Sequence, residues 1–92
     1  MAQFSHTVTA STSSVDYTAP TEIDSFVRIE NLDGTNDIWV KVNGGGTAAV
    51  DGDDCVRVRA NQSMLFRRRS AYAIIGAAGT PKVLMQSSMG LE

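Results

Sequence analysis

The sequence predicts an all-β fold, a small antiparallel β-sandwich or jelly-roll-like barrel of about 7–8 strands. Three observations predict it. Apolar and polar residues alternate with period two along most of the chain, which is the pattern of half-buried strands. Clusters of Gly, Asn, Asp, Ser and Pro interrupt these runs every eight to twelve residues or so, the spacing of turns in small β domains. No stretch carries an i, i+3, i+4, i+7 apolar stripe over three helical turns, so an amphipathic helix has no place to form.

The elements follow in order. "FSHTVTAS" (4–11) and "SVDYTA" (14–19) are rich in Thr, Val, Tyr and Ser, which suit extended pairing. The overlapping segment "STSSVDYTAPTE" (11–22) is Ser/Thr-rich and holds Pro20, so it also suits a loop or an arm that orders on a partner. Residues 1–24 are therefore set apart as an N-terminal strand or arm segment, and residues 25–92 as the β-sandwich domain. In "SFVRIENL" (25–32), Val27 and Ile29 point one way and Arg28 and Glu30 the other. "NLDGTND" (31–37) follows, with Asp33-Gly34, a favoured hairpin pair. In "DIWVKVN" (37–43), Ile38, Val40 and Val42 alternate with Trp39 and Lys41. "NGGG" (43–46) and "DGDD" (51–54) break the chain before "CVRVRA" (55–60), where Val56 and Val58 oppose Arg57 and Arg59. "ANQS" (60–63) reads as a hairpin turn into "SMLFRR" (63–68), with Met64 and Phe66 on one face. The apolar runs "AYAIIGA" (71–77) and "PKVLMQS" (81–87), separated by "GAAGTP" (76–81), complete the set.

A chain of 92 residues is one small domain, and a domain of that size buries only about 60–65% of its unfolded surface. Such chains are commonly reinforced by disulfides, a metal or oligomerisation. Cys55 is the single cysteine, so an intrachain disulfide is excluded. One cysteine and one histidine do not build a zinc site, and no cofactor is expected. Homo-oligomerisation or docking on a larger body is the remaining device. The opening "MAQFSHTVTA" lacks a basic leader and a long apolar run, which argues against a signal peptide. No run of about 20 apolar residues offers a membrane-spanning helix, and no membrane partner is expected.

Catalytic signals are weak. Cys55 follows Asp53 and Asp54, which oppose thiolate formation, and His6, the only imidazole, lies far off in sequence within an alternating strand. No nucleophile motif surrounds any serine. "DGDD" lacks the ligand spacing and closing glutamate of a helical calcium loop, and no Lys-Ser/Thr pair follows "GGG" as a phosphate loop requires. The expectation is a protein that is not an enzyme.

Charge and surface residues say more. Residues 1–54 carry nine acids against Arg28 and Lys41, whereas residues 55–92 carry Arg57, Arg59, Arg67, Arg68, Arg69 and Lys82 against Glu92. Such asymmetry suits an oriented electrostatic partner, or copies meeting acidic face to basic face. On period-two strands Arg57 and Arg59 share a face, Arg67 and Arg69 share another, and a hairpin at "ANQS" would join them in one patch. The net charge of −2, the scarcity of lysine and the lack of interleaved aromatics favour an acidic protein surface over nucleic acid. Trp39 falls on the face opposite Ile38 and Val40. It is either an anchor at a protein interface, a stacking platform for a sugar or base, or a second core residue if that face is covered.

"FVRIENLDGTNDIWVKVNGGGTAAV" followed by "VRVRANQSMLFRRRSAYAIIGAAGTPKVLMQSS" resembles small accessory proteins of tailed-bacteriophage virions. The shared pattern is Ile-x-Asn-x-Asp/Gly (Ile29 to Gly34), Ile-Trp/Tyr-Val (Ile38 to Val40), a Gly/Ala-rich loop (Gly44 to Ala49), Ser-x-x-Phe (Ser63 to Phe66), Tyr-Ala-Ile (Tyr72 to Ile74) and Val-x-x-x-Gln, which falls at Val83 to Gln86 with one intervening residue fewer. "ANQS" stands where that group more usually has a Pro-Gly turn. The resemblance spans about residues 25–87. It implies a β-sandwich that decorates or cements a capsid, bound to the major capsid protein or another virion protein and assembled in the host cytoplasm. The competing expectation is a receptor- or glycan-binding module of a fibre, spike or tail part, with Trp39 as its stacking residue. A nucleic-acid-binding protein ranks below both.

Overall fold

The computed structural model describes residues 5–20, 26–42 and 46–88. Among these residues the secondary structure is entirely β: β1 (Ser5–Thr9), β2 (Val15–Thr18), β3 (Phe26–Asn31), β4 (Ile38–Lys41), β5 (Cys55–Val58), β6 (Ser63–Arg67), β7 (Ala71–Gly76) and β8 (Lys82–Ser88). They form two four-stranded sheets, sheet A in the order β1-β8-β3-β6 and sheet B in the order β2-β7-β4-β5. Every pairing is antiparallel. The first strand pairs with the last, the second with the seventh, the third with the sixth and the fourth with the fifth. This is a long antiparallel ribbon rolled over so that successive strand pairs fall in alternate sheets, the strand order of a jelly roll.

The period-two pattern explains the layering. Val27 and Ile29 of β3, with Val83 and Met85 of β8, point inward from sheet A. Ile38 and Val40 of β4, Val58 of β5, and Tyr72 and Ile74 of β7 point inward from sheet B. All are fully buried in one core, and each aliphatic side chain contributes about 1.5–3 kcal/mol by leaving water. Among the described residues one polar side chain is buried beside this core. Asn31 is fully buried, and its Nδ2 donates to the carbonyls of Asn36 (2.8 Å) and Val58 (3.2 Å), while its Oδ1 accepts from the N–H of Asp33 (3.0 Å). It therefore ties the end of β3 in sheet A to β5 in sheet B.

The strands agree with the sequence, but several connections differ. Asp33-Gly34 is not a two-residue hairpin, because β3 and β4 lie in opposite sheets. The Asp33 carboxylate instead accepts from the N–H groups of Thr35 (2.7 Å) and Asn36 (3.0 Å), turning the chain from one sheet to the other. "ANQS" is likewise a crossing rather than a hairpin: β5 belongs to sheet B and β6 to sheet A. There Asn61 takes a left-handed φ of 61°, a conformation asparagine tolerates better than most residues. Residues 5–20 of the segment set apart as strand or arm belong to the sandwich itself. β1 pairs with β8 along its whole length, and β2 pairs with β7.

The outer faces of the two sheets differ. On sheet B, register places Asp16, Ala73 and Lys41 in one outward row, and Ile75, Trp39 and Arg57 in the next. The β4–β5 connection lies over these rows. The N–H of Gly46 donates to the Asp16 carboxylate (3.2 Å), and that of Ala48 to Ser14 Oγ (2.8 Å). Gly46 has φ 129°, and a Cβ there would lie 3.0 Å from the Lys41 stem, so glycine lets the loop settle on that side chain. Ala73 beneath the loop is fully buried. Sheet A has no such cover among the described residues.

Candidate protein-interaction surface

Trp39 is not an exposed platform. It retains 7% exposure: it lies on the sheet face over which the β4–β5 loop is pinned and beside Arg57, whose guanidinium carbon is 5.6 Å from the ring centroid. The outward parity read from the sequence holds, but the face is covered, so Trp39 packs a second, smaller apolar layer.

The arginines do not form one patch. β5 and β6 run antiparallel along the same side of the sandwich but in different sheets, so their arginine pairs lie toward opposite ends. Arg57 is paired within the chain: its Nε donates to Asp37 Oδ2 at 2.7 Å, and the other Asp37 oxygen accepts from the N–H of Ala60 at 3.0 Å. The Arg57 hydrogen bond, followed by the one from Ala60, holds the Asp37 carboxyl below the usual carboxylate range, and Arg59 adds to this through its charge. Arg68 donates to the carbonyl of Pro20 at 2.8 Å. Arg67 and Arg69 are exposed, and among the described residues no ion pair joins either to an acid.

Their backbone is fixed from below. The ring of Tyr72 is buried against Phe66, and its hydroxyl donates to the carbonyl of Arg67 (2.6 Å) and accepts from the N–H of Arg69 (3.1 Å). Burial pushes the Tyr72 phenol above its ordinary value.

Arg67 and Arg69 flank a cleft of about 380 Å³ on the β5–β6 side of the sandwich. Its apolar wall comes from Val42 just past β4, from Val56 on sheet B and from Met64 and Phe66 on sheet A, with Leu65 at the rim; Val56, Met64 and Phe66 are inward-facing by parity. At this margin the sheets do not close over one another, so Met64 keeps 42% exposure. On the outer face of sheet A, at the rim of the cleft that Leu65 and Arg67 also line, the cross-strand pairs Phe26–Arg67 and Arg28–Leu65 make a square of two apolar and two cationic side chains. Phe26 is 37% and Leu65 40% exposed. Arg28 is braced by Gln86 Oε1 (2.9 Å) and Glu30 (3.9 Å).

β6 therefore carries open side chains on both faces, Met64 on one and Leu65 and Arg67 on the other. The sequence signal was Leu65, an apolar residue out of phase with Met64 and Phe66. Val42 gave a second signal, continuing the Ile38–Val40 alternation beyond the last paired residue. No family model, curated protein or solved structure matches the chain.

Proposed function

We propose that this chain is a non-enzymatic virion structural protein, a decoration or cement protein that binds a capsid shell and stabilises it. The observation that carries the reading is the contrast between the two outer faces. Sheet B is closed by the chain's own loop, whereas sheet A presents Phe26 and Leu65 among Arg28 and Arg67. An apolar patch with cationic neighbours suits a partner surface that offers apolar contacts and carboxylates. Further support comes from the jelly-roll strand order, an architecture used in viral capsid domains, and from the sequence resemblance. Each copy would contribute a modest contact, and many copies bridging neighbouring capsomers would resist their separation together. Glycan stacking on Trp39 is disfavoured, because its ring is covered. Nucleic-acid binding through four arginines is disfavoured as well, because Arg57 is already committed to Asp37.

The test is re-addition of purified protein to particles stripped of it, with occupancy read at low and high salt. Leu65→Asp and Phe26→Ser should abolish binding while the far-ultraviolet circular dichroism stays unchanged. Arg67→Ala should cost about 2–5 kcal/mol if the partner buries that contact. Occupancy that is indifferent to all three substitutions and to salt would overturn the proposal.

A further inference from the structure

The cleft beside Arg67 and Arg69 has its chemical complement on the same chain. The turn at 49–54 is held by hydrogen bonds from the N–H of Gly52 to the carbonyl of Ala49 (3.0 Å) and from the N–H of Cys55 to that of Gly52 (3.1 Å). It carries Asp51 and Asp53, both exposed, and Val50, which is 43% exposed. Asp54 is used internally, paired with Lys41, but neither Asp51 nor Asp53 has an ion-pair partner among the described residues. The turn stands at the cleft's own end of the sandwich. The N–H of Val42, a cleft residue, donates to the carbonyl of Asp54 at 2.9 Å, and Asp53 precedes the cleft residue Val56 by three positions. An acidic turn tipped by a valine thus adjoins an apolar cleft rimmed by arginine, and the two do not satisfy each other within one chain.

We infer that the cleft is a homodimer contact, in which the Val50–Asp53 turn of each copy seats in the Arg69-flanked cleft of the other. Because donor and acceptor lie side by side on one surface, the same patch can serve both partners about a two-fold axis, as an isologous contact requires. The contact answers two features at once. It covers Val42 and Met64, which the sandwich margin leaves open, and it supplies carboxylates to Arg67 and Arg69, which no ion pair joins to an acid among the described residues. It goes beyond binding to a shell: Leu65 and Arg67 border both surfaces, but the contact concerns free protein and is read without particles, through Arg69 and Asp53, which the shell-binding test leaves untouched.

The experiment is sedimentation of the full chain at increasing concentration, without particles. Wild type should pass from a 9.8 kDa species to one of twice that mass. Arg69→Glu and Asp53→Lys should each weaken association about tenfold or more, because symmetry sets each new charge against a like charge twice. An equimolar mixture of the two variants should restore association: one then offers two acidic surfaces and the other two basic ones. Wild type that stays monomeric throughout, a mixture that fails to restore association, or growth into open chains rather than a closed dimer would each overturn the inference. If the free protein is monomeric and Arg69→Glu instead loses shell binding, the occupant of the cleft is the shell and not a second copy.

Discussion

Asn31 shows how one residue can join two sheets. It ends β3 at the point where the chain leaves sheet A, and its amide meets a carbonyl of β5 and one of the β3–β4 turn. Its carbonyl oxygen fixes the N–H of Asp33, whose carboxylate then organises the rest of that turn. In Asn31→Ala these groups stay buried without a partner, so unfolding stability should fall by about 1–3 kcal/mol. Denaturant titration would check this, with an unchanged slope expected if only the folded state is weakened. A loss of only a few tenths would mean that water replaces the side chain. The sequence showed Asn31 as the fixed polar position of an Ile-x-Asn-x-Asp pattern, but not its partners. Val58 lies 27 residues away, and nothing in β3 marks which strand stands above it.

At the level of the strand, period two determines which side chains share a face, and turn residues determine where a strand stops. Both are local, so all eight strands were legible. Pairing was not. A short connection rich in Asp, Gly or Asn can close a hairpin within one sheet or carry the chain to the other, and the alternation is identical in both cases. Asp33-Gly34 and "ANQS" both cross. For the same reason the arginines were legible as two facing pairs but not as pairs set apart at opposite ends. Trp39 was placed on its outward face, yet the loop on that face is held there by Gly46 and Ala48 through Asp16 and Ser14, partners about 30 residues away in sequence. The N-terminal strands carry a firm expectation. β1 covers the edge of β8, and β2 covers the edge of β7, while Val8 and Tyr17 pack against the core. Deleting residues 1–20 should therefore unfold the domain outright, seen as loss of the cooperative thermal transition. A truncated chain that still melts cooperatively near the wild-type temperature would show that β1 and β2 are dispensable additions.

Taken as a whole, the molecule concentrates its perturbed acids at the connections rather than in the core. Asp33 and Asp37 flank the β3–β4 crossing, and Asp54 anchors the long β4–β5 connection. Backbone N–H groups of Asn36 and Thr35 hold the Asp33 carboxyl below the usual range, the Arg57 hydrogen bond does so for Asp37, and the Lys41 hydrogen bond does so for Asp54. A carboxyl whose pKa is lower folded than unfolded adds stability in full above its unfolded value, and the gain disappears as pH falls through the folded value. The unfolded value for aspartate is about 3.9, so stability should be level from neutral pH to about 5 and then fall on further acidification. Burial raises the phenols of Tyr17 and Tyr72 instead. Their contribution is complete below the ordinary tyrosine value, about 10, and declines only above it. The plateau between these limits belongs to the connections on its acid side and to the core on its alkaline side. Asp37→Asn separates the two. It keeps an acceptor for the N–H of Ala60 but loses the ion pair with Arg57, so it should lower the plateau and make the acid limb shallower, leaving the alkaline limb where it was. Thermal unfolding of both proteins across pH 2–11 reads all three quantities, and an acid limb equally steep in the variant would place the acid sensitivity elsewhere.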